Sequence, residues 1–526
     1  MGYWSYYFFA KLFLFFGKYI GFNMWPNLLF AIALLIPVRN TPWTWIRQTM
    51  ATVVGLSLLY QDSWLPPIER VVAQSENLEG FSLAYGIELI GRFIDIRIVL
   101  ALVFGYLIYL LLGRRLRMSS FAILGIIFGP WAMPLLNDVA RNNSAPAISA
   151  SGTVLPKTKP TEPIDDTTLN AALKKFHEQE SIRRVSFPEK EQSDADFDVI
   201  LLHVCSLAWD DLDFIGERNN PLLQKFDVVF EQFNSAASYS GPSVIRLLRA
   251  NCGQASHQNL YGPPSAQCSL MHNFERAGFK TQLLMNHDGH YGNFLADARE
   301  RGGLNVTPEE NRGSPVAMRS FDNSPIYDDY SLLKQWSDKQ SLEKSGPKAL
   351  YYNSISLHDG NRLPGSRGES SLATYPARTK KLLQDFESFF THLEKSGRNV
   401  VVVFIPEHGA SIRGDKMQIA GMREIPNLRI TQIPVGIKLI GAAFKPAMKP
   451  QVLNQPVSYL GLAALLNAFI SQSPFGPKAG LLSEYLQGIP LTPLVSENDN
   501  LTMMRYGERD FLLSPGSSWV EHETGQ

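Results

Sequence analysis

Nearly all the long apolar runs of this 526-residue chain fall before residue 138, and the remainder has the mixed charge of a water-facing protein. That asymmetry excludes a single evenly built domain. Five segments, 3–22, 27–38, 45–60, 93–112 and 119–136, read as candidate membrane spans. The second and third are shorter than the roughly 20 residues of a straight span. Further apolar runs follow the first, which argues against a cleaved signal peptide. Basic residues orient the segments: Arg39 and Arg47 flank one connection, and Arg114, Arg115 and Arg117 crowd another. With both loops cytoplasmic, the amino terminus is inside and everything after residue 136 is outside. Lys11 and Lys18 share one face of the first segment, which points to snorkelling or an inter-helix cavity. Residues 61–92 mix apolar and acidic side chains, as headgroup-region material or an ordinary loop would.

The expected organisation is a membrane domain over 1–137, a linker and short helix over 138–196, and an outer catalytic domain over 197–526. Between 138 and 175 Asn, Ser, Ala, Thr and Pro dominate, and spaced prolines hold such a tether extended. Beyond it, strand-like runs alternate with helical patterns at 243–250, 327–341, 375–395 and 457–470, and a further strand is expected at 435–440. Alternation of this kind predicts an α/β domain with a largely parallel sheet. A small hairpin is expected within 498–520.

Four of the strands exit into polar groups of one kind. The run 197–204 leads to Cys205, 279–285 to Asn286, His287 and Asp288, 349–356 to His358 and Asp359, and 399–406 to Glu407 and His408. In open α/β sheets, ligands collect at the carboxyl ends of strands. A thiolate, a carboxylate and an imidazole are metal ligands; a surface Glu-His pair is the plain alternative. Between the first strand and the first helix lies a segment ending in Tyr239-Ser240-Gly241-Pro242. Pro242 suits the first helical position and Ser240 the N-cap. A hydroxyl there sits in the positive end of a helix dipole, where phosphate binds. Plain capping is the alternative to a nucleophile.

Three cysteines are present. Cys252 and Cys268 enclose fifteen residues, a loop whose closure is worth roughly 3 kcal/mol in the chain-entropy model. Pairing them and keeping Cys205 for a metal fits an oxidising compartment; three unpaired thiols are the alternative. The formal charge of zero argues against nucleic acid as a partner.

These residues resemble the alkaline-phosphatase-like superfamily, and within it the phosphoethanolamine and phosphoglycerol transferases. The closer resemblance is to the cellulose phosphoethanolamine transferases of bacterial cellulose secretion systems. It rests on CSL (205–207), SYSGPSVIRLLRANCGQ (238–254), YNSISLHDGN (352–361) and IPEHGASIRGDKMQ (405–418), and on the expected five-span topology. The resemblance implies one zinc ion on Cys205, Glu407 and His408, with Ser240 as nucleophile beside or on the metal. It also implies His358 as acid/base or phosphate contact, Arg423 as a cation for phosphoryl oxygens and Tyr239 as a positioning group. Cys205 departs from the wider superfamily, whose metal ligand after the first strand is usually acidic, so a two-metal site is in doubt.

The implied activity moves phosphoethanolamine from phosphatidylethanolamine to C6 hydroxyls of cellulose through a phosphoserine-type intermediate. The implied setting is the bacterial inner membrane, with the catalytic domain in the periplasm and cellulose synthase subunits as partners. Rival readings are another acceptor (lipid A or a periplasmic glucan), phosphatidylglycerol as donor, or a non-catalytic synthase subunit.

Overall fold

The computed structural model describes residues 3–17, 19–37, 41–63, 82–93, 96–113, 115–129 and 164–522, apart from 312, 343–345, 367, 416, 443, 445–448, 500 and 516. Residues 64–81, the tether over 138–163, the end of the fifth apolar segment, Lys18, Arg39 and Arg114 lie outside the described residues. The chain divides into two compact units, 1–79 with 87–162, and 80–86 with 163–526.

The first unit is helical, and it corrects the expectation of a five-span membrane domain. Among the described residues no helix is both long and apolar enough to cross a membrane. The reasons are local. The run over 3–22 is a helix only from Trp4 to Phe16 and ends at Gly17, and the next helix, Met24–Leu35, stops two residues before Pro37. Helix Thr41–Asp62 is long enough, but Arg47, Gln48, Thr49, Thr52, Gln61 and Asp62 dilute it. Helix Ile96–Leu112 is apolar, yet its 17 residues reach only about 25 Å, short of a ~30 Å hydrocarbon core.

The second unit is an α/β domain. Its strands are β1 (Asp198–Val204), β2 (Val228–Asn234), β3 (Lys280–Met285), β4 (Val316–Arg319), β5 (Pro325–Tyr327), β6 (Lys348–Ser354), β7 (Val400–Pro406), β8 (Gln432–Ile440) and β9 (Gln451–Leu453), and then β10 (Val495–Asn498), β11 (Leu501–Tyr506), β12 (Arg509–Leu513) and β13 (Val520–Glu521). Seven of them form the central sheet in the order β3-β6-β1-β7-β8-β2-β9. β3, β6, β1 and β7 run parallel, whereas β8 is antiparallel to both β7 and β2. The sheet is therefore mixed, which corrects the expectation of a largely parallel one. Alternating strand and helix patterns do not carry direction, and the chain between β7 and β8 returns through a single four-residue helix, Leu428–Thr431.

Both faces of the sheet are covered, which explains why the strands read as unbroken apolar runs. Val199, Leu201, Val401, Val403 and Ile405 point into one core with helices Ser240–Leu248 and Tyr459–Ser471. Ile200, Leu202, Val204, Val402 and Phe404 point into the other, under helix Ser371–Ser396. The expected carboxyl-terminal hairpin is β11–β12.

Candidate active site

Because β8 alone is reversed, β1, β2, β3, β6 and β7 all end on one rim. The site is built there from strand exits. Cys205 follows β1 directly, its N–H donating to the Ser354 carbonyl (2.9 Å). Glu407 follows β7, its N–H donating to the Val204 carbonyl (2.7 Å). Asp211 ties the two exits together: its Oδ2 accepts the N–H groups of Ala208 (2.9 Å) and Ala410 (2.7 Å). The approach is close enough to require Gly409, where a Cβ would lie 2.7 Å from the Ala208 Cβ. Ser206, next to the thiol, takes the left-handed conformation at φ 63°, a cost a fold tolerates where it must aim a side chain.

Cys205 Sγ, one Glu407 oxygen and one His408 ring nitrogen lie within 4.8 Å of one another, all buried. His408 Nδ1–H donates to its neighbour's carbonyl, Gly409 O (2.9 Å), so Nε2 presents its lone pair. That Nε2 stands 4.0 Å from Cys205 Sγ, 3.8 Å from Glu407 Oε2 and 3.4 Å from Ser240 Oγ. Ser240 Oγ is 3.5 Å from the thiol. Glu407 Oε1 accepts a hydrogen bond from Asn353 Nδ2 (2.7 Å), while Oε2 finds no hydrogen-bond partner among the described residues. An orphaned carboxylate oxygen facing an imidazole lone pair and a thiol is the donor set of a cation site. These three residues could hold a zinc-like ion.

The electrostatics have the same cause throughout. Burial pushes the Cys205 thiol up to about 12, with the Glu407 charge adding to the rise. Burial likewise raises Glu407 and holds His408 well below the usual imidazole range. The Arg423 charge offsets part of this for Cys205 and Glu407, but two buried anions beside one guanidinium remain costly without a further cation. Ser240 opens the nine-residue helix Ser240–Leu248, one position earlier than expected, with Tyr239 as its N-cap. The hydroxyl thus sits on the first turn, where backbone N–H groups are unpaired and the dipole is positive.

Family comparison bears on the whole chain. Residues 154–519 match the cellulose biosynthesis protein BcsG C-terminal domain, and residues 4–130 match the BcsG N-terminal domain. Cellulose biosynthesis protein BcsG of Escherichia coli K12 is 36% identical over 537 aligned positions, covering 99% of this chain and 96% of that protein. The Salmonella typhimurium protein of the same name is 35% identical over the same coverage. The chain belongs to the BcsG family. Among solved structures, a protein of the alkaline phosphatase superfamily from Vibrio parahaemolyticus shares 16% identity at a TM-score of 0.48, covering 67% of this chain and 87% of that one. The C-terminal periplasmic domain of EcEptC from Escherichia coli shares 12% at 0.43, covering 65% and 96%.

The remaining expected residues divide. Arg423 reaches the site: its Nη1 donates to Ser206 Oγ (3.0 Å) and its guanidinium lies 5.8 Å from the centre of the Tyr239 ring. His358 is buried between Tyr291 and Phe321, and its Nδ1–H donates to the Asp359 carbonyl (2.7 Å). Burial and then the Arg423 charge push it down to about 4. His287 joins indirectly. Its Nδ1 accepts from Gly289 N–H (3.1 Å), so Nε2 donates to Asn353 Oδ1 (2.7 Å), and Asn353 in turn holds Glu407. Asn286 is spent on Asp329 and Ser356, and Asp288 pairs with exposed His290. Cys252 and Cys268 form a disulfide and Cys205 is free.

Sequence reasoning missed Asn353, Asp211 and Asn498. Asn498 Nδ2 donates to Ser238 Oγ (2.6 Å) and to the carbonyls of Arg423 (3.3 Å) and Glu424 (2.8 Å), bracing the loop before Ser240 from β10. The only signal was a polar residue inside an apolar strand, which Asn353 does show.

Proposed function

We propose that this protein transfers phosphoethanolamine from phosphatidylethanolamine to C6 hydroxyls of cellulose through a covalent intermediate on Ser240. What supports this reading is the convergence of Cys205, Glu407 and His408 on a serine at a helix start, in a member of a cellulose biosynthesis family. One zinc ion would be held by Cys205 Sγ, Glu407 Oε2 and His408 Nε2. Bound zinc supplies Lewis-acid charge, which favours the ionised form of a neighbouring hydroxyl.

In the first step Ser240 Oγ attacks phosphorus and diacylglycerol leaves with a proton. Arg423 and the first-turn N–H groups face the charge that gathers on the phosphoryl oxygens. In the second step a sugar hydroxyl attacks the same phosphorus and Ser240 Oγ is released. Burial and the Arg423 charge push His358 down to about 4, too low to keep a proton, so its unprotonated Nε2 would pass the proton of the incoming hydroxyl on to the departing Ser240 Oγ.

The disulfide fits an oxidising compartment, and the catalytic domain is assigned to the periplasm. The first unit leaves Trp25, Trp45 and Leu111 about 70% exposed, and we assign that apolar surface to association with the inner membrane that carries the donor. Cellulose synthase subunits are the expected partners. Mass spectrometry of the Ser240 peptide after incubation with phosphatidylethanolamine should show phosphoethanolamine on that residue. Ser240→Ala should lose the adduct and the transfer while folding normally. A fully active alanine variant would reduce Ser240 to a structural residue of the helix start.

A further inference from the structure

The short stretch Gly80–Gly86 belongs to the second unit, although the sequence on either side of it belongs to the first. Ser82 N–H fastens it there by donating to the Phe321 carbonyl (3.0 Å). Tyr85 follows in the first turn of helix Leu83–Phe93, its N–H donating to the Ser82 carbonyl (3.0 Å). Only 6% of Tyr85 is exposed, and its hydroxyl donates to Asp359 Oδ2 (2.9 Å).

Two routes lead from Tyr85 to His358. The first is polar. The Asp359 carboxylate also accepts from Gly360 N–H (2.9 Å) and from the Ser371 hydroxyl, while the Asp359 main-chain carbonyl accepts the His358 Nδ1–H (2.7 Å). Holding Asp359 therefore holds the carbonyl that keeps the proton on Nδ1 and leaves Nε2 free of one. The second route is steric. The Tyr85 ring centre stands 5.9 Å from that of Phe321, which in turn lies 5.1 Å from the His358 ring. Gly360 permits this approach: its φ is 84°, and a Cβ there would meet Phe321 Cβ at 2.5 Å and the Tyr85 ring at 2.9 Å.

We propose that Tyr85 is a positioning residue for His358, supplied to the catalytic domain by sequence that lies ahead of the fourth apolar segment. The proposal rests on the reading of His358 as the group that passes on the incoming proton. In that step the bond from phosphorus to the sugar oxygen forms and the bond from phosphorus to Ser240 Oγ breaks. The proton of the sugar hydroxyl ends on Ser240 Oγ. Tyr85 acts on this step through Asp359 and Phe321. The attack of Ser240 on the donor makes no use of His358, so Tyr85 should matter to the second step and not to the first.

The test follows both steps in the full-length protein, with phosphatidylethanolamine in detergent micelles as donor and cellopentaose as acceptor. Tyr85→Phe keeps the ring and removes the hydroxyl. It should form the Ser240 adduct as fast as wild type and discharge it about tenfold more slowly, within the hundredfold that a misplaced catalytic group can cost. The adduct should therefore accumulate, as read by mass spectrometry of the Ser240 peptide. A merely structural role would slow both steps together or neither. Independently of turnover, Tyr85→Ala should quicken amide hydrogen exchange over 355–362 about tenfold, the lower end for losing a hydrogen bond to a charged group, and leave β1 and β7 as in wild type. Discharge at the wild-type rate in Tyr85→Phe, equal slowing of both steps, or unchanged exchange over 355–362 in Tyr85→Ala overturns the proposal. A wild-type protein that forms no adduct would instead sink the covalent mechanism, and the exchange result would then decide whether Tyr85 holds the His358 loop.

Discussion

Two clusters of buried ionisable groups, one in each unit, show how a structural polar knot differs from a site. In the first unit Lys11 Nζ spends all its donors, on Asn27 Oδ1 (2.8 Å), the Leu58 carbonyl (3.1 Å) and Asp62 Oδ2 (2.6 Å). Asp62 is equally full: Oδ1 accepts from Asn23 N–H and Nδ2, and Oδ2 also accepts from Asn27. Nothing is left for a ligand. In the second unit, Cys205, Glu407 and His408 are as deeply buried, yet one Glu407 oxygen has no hydrogen-bond partner among the described residues, and the His408 lone pair meets only the Ser240 hydroxyl at 3.4 Å and the Cys205 thiol at 4.0 Å. Burial alone does not separate the two; unspent valence does.

The largest expected effect lies in the unmet cluster. Cys205→Ala, Glu407→Ala and His408→Ala should each lose nearly all bound zinc, because a site with three strong protein donors cannot spare one. His358→Ala should keep it. Equal metal content in all four purified proteins would place any zinc elsewhere and end the proposed mechanism. The apo forms should also behave unlike the Lys11 knot: Glu407→Gln removes a buried charge with one unpartnered oxygen, so the metal-free domain should melt no lower than wild type.

Breaking the satisfied knot should do the opposite. Lys11→Met strands Asp62 without its cation in a buried position, a loss of about 3–5 kcal/mol. It should appear as faster amide exchange in helices Trp4–Phe16 and Thr41–Asp62. The double variant Lys11→Met/Asp62→Leu should recover most of that loss, since apolar replacement of a buried pair is often neutral. If Lys11→Met leaves exchange unchanged, the pair contributes nothing and the comparison fails on that side.

The second unit was far more legible in its sequence than the first, for physical reasons. Buried strands are short apolar runs with abrupt polar exits, so the sequence alone places Cys205, His287, His358, Glu407 and His408 on one rim. β2 escaped because Glu231 and Gln232 interrupt its apolar run, and the direction of β8 escaped because pairing sense leaves no periodic trace. In the first unit hydropathy counted apolar residues without registering where helices stop, as at Gly17 and Pro37. Asn353 lay hidden in a strand read only for its apolar content.

Asn353 provides a smaller and sharper test of what orients the cluster. Its Nδ2 fixes Glu407 Oε1 and its Oδ1 is fixed by His287, so the unmet Oε2 is held in place by a chain of two hydrogen bonds. Removing a group that orients a metal ligand typically costs about 10–100-fold in affinity. Asn353→Ala should therefore bind zinc within that range below wild type, well short of the loss in Glu407→Ala. An affinity equal to wild type, measured by competition with a chelator, would show that Glu407 needs no such support.

The gentlest test is the pH dependence of zinc affinity. Each ligand must be free of its proton to bind, so affinity rises with pH for every proton released. His408 is held well below the usual imidazole range and is already neutral, so it releases none near neutrality. The metal-free Cys205 thiol, pushed up to about 12, still carries its proton and must lose it. Burial raises Glu407, so a second proton joins the release as the pH falls. Affinity should therefore increase about tenfold per pH unit between pH 7 and 8 and more steeply on the acid side. In the Cys205→Ala variant the dependence should flatten above neutrality along with the loss of affinity, because no thiol proton is left to release. A wild-type slope near zero between pH 7 and 8 would mean that no thiol proton is released, and Cys205 would then stand outside the metal's coordination.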